Sequence, residues 1–286
     1  MGVAAGVIHK ATREMIRKAR TIANGSVERQ AQSLARGLSA PGIVVEDDKG
    51  YAAFSAAGIG AADEAGKLAG LAMEWKEDPR RNTSDKPFLR NILRSQDLFA
   101  HPEIMQLALH AQLFGAVTHY LGQVPWLVNL QVWWTPPNQT AVRSQLYHYD
   151  HRDTRQAKVF INLNDVGETS GPLHFLPAIS SLKVDRAIGY SQDEYTDAQV
   201  ESCCSKSEVV RTVGPPGSGF IVDTARCLHY GSRGNREDRL VLMISFARVN
   251  CVDKGSGCEV LDPVRERLIG AFYGADKARA FALTAR

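Results

Sequence analysis

Residues 144–177 read SQLYHYDHRDTRQAKVFINLNDVGETSGPLHFLP, and residues 217–246 read GSGFIVDTARCLHYGSRGNREDRLVLMISF. Both stretches alternate short apolar runs with turn residues. Ala157 to Val166, Leu173 to Leu176, Gly219 to Val222 and Leu240 to Val249 have the length and the β-branched or aromatic content of strands. Gly171-Pro172 and Gly214-Pro215-Pro216-Gly217 punctuate them. Working outward, Trp126 to Trp134 and Ser207 to Val213 have the same texture, with Pro136-Pro137 as a further break. Many short strands with such turns predict a sandwich or barrel from Pro125 onward.

Upstream of Pro125 the texture is helical. Residues 1 to about 40 place Ile16, Ala19 and Ile22 at helical spacing, and residues 52–76 read as a second helix. Between them, Gly42 to Asp48 reads as a short β run closed by acidic turn residues, and residues 77–87 read as loop. Pro102 suits a first helical position, and the apolar series Ile104, Leu107, Ala108, Ala111, Phe114, Val117 and Leu121 predicts one amphipathic helix ended by Gly122. The stretch from Ser180 to Ser207 is polar and poor in β signal, so residues 180–210 are expected to form a loop that could serve as a lid. The expected organisation is one domain over residues 1–286. It comprises helical support (1–124), a β core (125–250) and a closing helix (260–286).

The chain has 286 residues, 44% hydrophobic and 23% charged, with a net charge of +3. That composition suits a globular core. The scattered Lys and Arg give no support to a nucleic-acid partner. No apolar run reaches the ~18 residues of a membrane span. The N-terminus lacks a secretory pattern, and Gly6 stands where a myristoylation motif needs Ser or Thr, so a cytoplasmic location is expected. The five cysteines, including adjacent Cys203 and Cys204, form no CxxC pair and read as free thiols.

Chemistry concentrates in four side chains: His148, Asp150, His229 and Arg239. Two imidazoles and one carboxylate suit non-haem Fe(II) and leave coordination positions open. An arginine shortly after the second histidine supplies a bidentate clamp for a carboxylate cosubstrate. His148 and Asp150, at i and i+2, point to one side of an extended segment. A hairpin from His229 to Arg239 could bring those two together. His151 and Asp153 repeat the His-x-Asp form with opposite parity, so only one pair can be the site, and geometry alone suits either. His174 is an alternative ligand, or a residue that lines the pocket or packs on a sheet face. Asp223 reads as a turn cap, and Trp126, Trp133 and Trp134 as core or pocket wall.

These residues resemble the phytanoyl-CoA dioxygenase family of Fe(II)/2-oxoglutarate-dependent oxygenases. The resemblance rests on Tyr147-His148-Tyr149-Asp150, the strand Phe160 to Val166, Gly171-Pro172, Pro177, and the distal His229, Gly231 and Arg239. It favours His148 over His151. The chain departs from the family's usual Pro-Gly-Ser-His after the Gly-Pro strand, reading Leu176-Pro177-Ala178-Ile179-Ser180-Ser181. The resemblance implies a mostly β fold with flanking helices, whose core is a double-stranded β-helix, the jelly roll of cupin-like proteins. It implies Fe(II) on His148, Asp150 and His229, 2-oxoglutarate on Arg239, and O2 as co-reactant. Lys158, Gln131, Asn129 and Ser232 are further candidates for cosubstrate contacts. The implied partner is a small molecule, hydroxylated or otherwise oxidised at an unactivated C–H with release of succinate and CO2. The rival readings are a cupin-type dioxygenase or isomerase that uses no 2-oxoglutarate, and a non-catalytic jelly-roll binding protein. Arg239 separates the first from the account preferred here.

Overall fold

The computed structural model describes residues 3–81, 88–190, 194–255 and 257–284. The loop reading of residues 82–87 lies outside the described residues.

Among the described residues, nine strands form two sheets: β1 (Tyr51–Ser55), β2 (Arg90–Asn91), β3 (Trp126–Thr135), β4 (Gln156–Asn162), β5 (His174–Phe175), β6 (Val210–Arg211), β7 (Ser218–Val222), β8 (His229–Tyr230) and β9 (Arg239–Ala247). The major sheet has the order β1-β7-β4-β9-β3-β2 and the minor sheet the order β6-β5-β8. Their pairings are antiparallel. This is a double-stranded β-helix flanked by helices, as the resemblance implies.

The period of two along each strand decides what each sheet face does. On β9, Leu240, Leu242, Ile244 and Phe246 join a core with Val159 and Ile161 of β4 and with Leu68, Leu107, Phe114 and Val117 of the helices. The alternate residues Arg239, Val241, Met243 and Ser245 turn to the other face and line a cavity. Every residue of β9 is buried, so the strand reads as continuous apolar sequence although its two faces differ in purpose. Gln156, Lys158 and Phe160 of β4 and Asn129, Gln131 and Trp133 of β3 share the cavity face.

The N-terminal half departs from the sequence reading in three places. Residues 43–48 form no strand. The first strand is Tyr51–Ser55, inside the span read as helical, and the helix begins only at Ala62 and ends at Trp75. The strand state of Tyr51-Ala-Ala-Phe-Ser comes from pairing with β7, which local propensity does not encode. The Pro102–Leu121 helix is broken into Glu103–Ala108 and Ala111–Leu121 at Leu109 and His110. The second piece ends at Gly122 in the left-handed conformation, as read.

The segment from 178 to 208 is not a plain loop. It carries helices Ala178–Ile188 and Asp197–Glu201 and a single 3-10 turn at Lys206–Glu208. Three of its polar residues, Ser180, Ser181 and Asp185, are buried and bonded. Leu228 N donates to Ser181 Oγ at 2.9 Å, and Ser180 Oγ donates to Glu208 at 2.6 Å. Tyr149 and Tyr195 hydroxyls donate to Asp185. The C-terminal region forms Arg265–Leu268, a π-helical turn Ile269–Tyr273, and helix Lys277–Thr284. All five cysteines are free. No described helix is long and apolar enough to cross a membrane.

Candidate metal centre and anion pocket

His229 opens β8 of the minor sheet, and the segment carrying His148 extends that sheet. His148 N donates to His229 O at 2.9 Å, and His229 N returns the bond to His148 O at 3.1 Å. Asp150 N donates to Thr224 O at 2.9 Å. These backbone bonds bring the side chains of His148, Asp150 and His229 together, with one ligand atom from each lying within 4.8 Å of the others. The imidazole centroids are 4.3 Å apart.

Each ring is oriented by its own backbone. His148 Nδ1 lies 2.8 Å from Leu146 O and His229 Nδ1 2.9 Å from Cys227 O. A carbonyl only accepts, so each Nδ1 carries the proton and each Nε2 keeps a lone pair for a metal. Burial, aided by repulsion from His148, pushes the His229 pKa down to about 3, so its ring is neutral at physiological pH. Burial opposes the charge on Asp150, but the Lys158 ammonium together with the His229 and His148 imidazoles outweighs it and holds the carboxyl well below the usual carboxylate range. Lys158 Nζ is 2.7 Å from Asp150 Oδ2. That approach is not along a hydrogen-bonding direction, and Oδ2 is a buried oxygen without a hydrogen-bond partner. Two imidazoles whose Nδ1 atoms are held by carbonyls, and a carboxylate oxygen with no directed hydrogen bond, fit a divalent metal.

The rival pair is engaged elsewhere. Asp153 is buried and bound by Arg248 through two bonds of 2.7 and 3.0 Å. His151 Nδ1 meets the Tyr190 hydroxyl at 3.1 Å, and its carbonyl accepts from Arg13 of the N-terminal helix. His174 stacks on Tyr230 with ring centroids 4.7 Å apart; it lies outside the cluster and its cavity, and lines a smaller pocket with Tyr147 and Tyr230. Asp223 accepts from Tyr120 Oη at 2.6 Å and from Ala225 N at 3.1 Å, so it caps its turn and ties that turn to a supporting helix.

Arg239 begins β9 in the major sheet, and His229 lies in the minor sheet, so residues 231–238 cross between sheets and form no hairpin. Both residues nonetheless line the same cavity of about 630 Å³. Arg239 is 4% exposed. Its Nη1 makes long bonds to Gly171 O (3.2 Å) and Ser232 Oγ (3.5 Å), and its Nε has no partner. Gly171 adopts a left-handed φ of 68°, and a Cβ there would meet Asn235 at 2.9 Å. No carboxylate among the described residues pairs with Arg239, and burial pulls its pKa down to about 10. A buried guanidinium with an unused donor is a strong request for an anion.

Gln131, Lys158 and Ser232 also line the cavity. Lys158 is committed to Asp150, Gln131 Oε1 accepts from Asn129 Nδ2 at 3.0 Å, and Ser232 Oγ lies 3.1 Å from Thr135 Oγ1. The sequence reading passed over the apolar wall of Phe160, Leu173, Val241 and Met243, and the polar Gln156 and Ser245. Strand parity counted from Arg239 would have found Val241, Met243 and Ser245.

With this geometry in hand, solved structures can be set beside the chain. It superposes on EctD from S. alaskensis, solved with 2-oxoglutarate and 5-hydroxyectoine, with TM-score 0.52 and 18% identity over 72% of this chain and 75% of that one. The apo form of EctD gives TM-score 0.51 and 16% identity over 76% and 84% of the two chains. The shared fold is the double-stranded β-helix. SnoN, a non-haem α-ketoglutarate-dependent epimerase from nogalamycin biosynthesis, is also similar, with TM-score 0.46 and 15% identity over 79% of this chain and 84% of that one. No protein-family model matches the sequence, and no curated protein matches it.

Proposed function

We propose that the chain is an Fe(II)/2-oxoglutarate-dependent oxygenase that oxidises an unactivated C–H bond of a small molecule, by default through hydroxylation. One observation carries this reading. The His148, Asp150 and His229 cluster shares its cavity with a buried guanidinium that has no acidic partner. Such an arginine calls for a carboxylate-bearing ligand, and 2-oxoglutarate supplies a distal carboxylate. The ligand bound by EctD, a protein of the same fold, is of the right kind to answer it.

His148 and His229 would hold iron through Nε2, with Nδ1 fixed by the carbonyls of Leu146 and Cys227. Asp150 would complete the facial set. Bound iron and 2-oxoglutarate would supply oxidising power from O2, with release of succinate and CO2. Arg239 would fork onto the distal carboxylate of 2-oxoglutarate, a planar match that lysine cannot reproduce. Gln131 and Ser232 stand in the same cavity as further donors. Phe160, Leu173, Val241 and Met243 would exclude water from the cosubstrate and strengthen these polar contacts. The substrate would enter the remaining cavity, whose wall includes His151, Arg152 and Asp253. The helices over residues 178–208 would act less as an opening lid than as a buttress, since Asp185 grips Tyr149 between the two ligands on that segment.

The test is succinate formation from 2-oxoglutarate by the iron-loaded protein in air without added substrate, where a slow uncoupled rate is expected. Wild-type protein that binds iron yet forms no succinate at any 2-oxoglutarate concentration would refute the proposal.

A further inference from the structure

Lys158 stands on the cavity face of β4, between Val222 of β7 and Ser245 of β9. Its ammonium lies 2.7 Å from Asp150 Oδ2. The same oxygen lies 3.7 Å from His229 Nε2, so it is the carboxylate oxygen turned toward the space the three ligand atoms share. The ion pair is shielded, with side chains only 21% and 22% exposed. It is made without a well-directed hydrogen bond. A cation thus already stands on the oxygen that a metal would take.

We propose that Lys158 is a resident counter-cation of the metal centre. Its ammonium neutralises Asp150 and keeps that carboxylate turned toward His148 and His229, and it must release Oδ2 when a divalent metal binds. The proposal rests on the reading of His148, Asp150 and His229 as the metal centre. The residue type suits the task. Lysine is a compact point charge on a flexible four-carbon stem, able to swing off the oxygen into the adjoining cavity, whereas an arginine would lock onto the carboxylate with two parallel bonds. Removing one partner of a shielded pair leaves the other charge uncompensated, so the lysine stabilises the metal-free fold. For the same reason it competes with the incoming metal. Metal binding to the wild type is therefore an exchange of cations at one oxygen, and the liberated ammonium faces the cavity where anionic ligands bind. A lysine of merely structural value would stabilise the fold without weakening metal binding.

The experiment titrates Mn2+ into metal-stripped full-length protein and counts the unbound ion by electron paramagnetic resonance. Wild type, Lys158→Met, Lys158→Gln and His229→Ala are compared. Both Lys158 variants should bind Mn2+ about tenfold more tightly or better, a change of about 1.4 kcal/mol. Their metal-free forms should melt lower than wild type, and Mn2+ should raise their melting temperature more. Folded Lys158 variants that bind Mn2+ no more tightly than wild type, while His229→Ala loses it, would overturn the role of Lys158 and leave the metal centre standing. Mn2+ binding that survives His229→Ala, or is absent from wild type and Lys158 variants alike, would overturn the metal centre and this inference with it. A second readout needs no variant to fold. In wild type labelled with 13C at lysine, the Lys158 ε-methylene signal should shift as diamagnetic Zn2+ is added, in step with the histidine signals. Histidine signals that move while Lys158 stays fixed would overturn the exchange.

Discussion

Replacing Arg239 with methionine should separate binding from stability by sign. The guanidinium is buried, its pKa is held down to about 10 against an ordinary 12.5, and burial is the sole cause of that shift. A depression of that size corresponds to roughly 3 kcal/mol of disfavour for the charge in the ligand-free fold. Against this stand the bonds to Gly171 O and Ser232 Oγ, at 3.2 and 3.5 Å and worth about 1 kcal/mol each at most. Ligand-free Arg239→Met should therefore be between unchanged and ~2 kcal/mol more stable than wild type. For a chain of this size that is a melting temperature raised by up to roughly 5 °C. Binding moves the other way. Two charge-assisted bonds to a carboxylate contribute about 3–4 kcal/mol together, so 2-oxoglutarate should bind on the order of 100- to 1,000-fold more weakly. The assay is anaerobic titration of the Fe(II)-loaded protein with 2-oxoglutarate, followed by calorimetry, with thermal melting of both proteins with and without the ligand. Wild type should gain melting temperature from 2-oxoglutarate and the variant should not. A variant that melts several degrees lower and still binds 2-oxoglutarate as wild type would refute the reasoning, because Arg239 would then be structural.

Two further outcomes follow from groups outside the cavity. Burial raises the Asp223 pKa to about 6 from an ordinary 3.8, so between those values the folded state holds a proton that the unfolded state has released. Stability of wild type relative to Asp223→Asn should fall by roughly 2 kcal/mol as pH rises from 4 to 6.5 and level off above that, as read by urea unfolding at each pH; a difference that stays flat or rises would contradict this. A Cβ on Gly219 would collide with the Phe54 ring across the β1–β7 pair. Gly219→Ala should cost about 1–3 kcal/mol, and Phe54→Leu should recover part of it in the double variant; additive losses would show that the clash is not the cause.

The β core was legible because its strands are long enough to carry their own signal. The runs at β3, β4, β7 and β9 are bounded by Gly and Pro, and their alternation hides polar residues such as Lys158, Gln131 and Ser245 among apolar neighbours that face the helices. The residues proposed as ligands were legible because metal chemistry restricts residue type and the i, i+2 spacing restricts direction. Other features depend on contacts between distant residues. Tyr51–Ser55 is alanine-rich and becomes a strand only against β7. The helix Ala178–Ile188 presents Ser180, Ser181 and Asp185 to the interior, where Glu208, Leu228 and two tyrosines satisfy them. Read as sequence, those residues look like solvent-facing loop. The choice between His148 and His151 turned on a resemblance, and its physical basis appears only once Arg248 is seen to hold Asp153. The Lys158–Asp150 pair and the missing partner of Arg239 are likewise invisible without coordinates.

The central claim is tested most directly by the visible charge-transfer band that forms when Fe(II) and 2-oxoglutarate are bound together without oxygen. Wild type and His151→Ala should both show the band, and His148→Ala should lose it. A band that survives His148→Ala, or one that wild type never forms despite binding iron, would contradict the account.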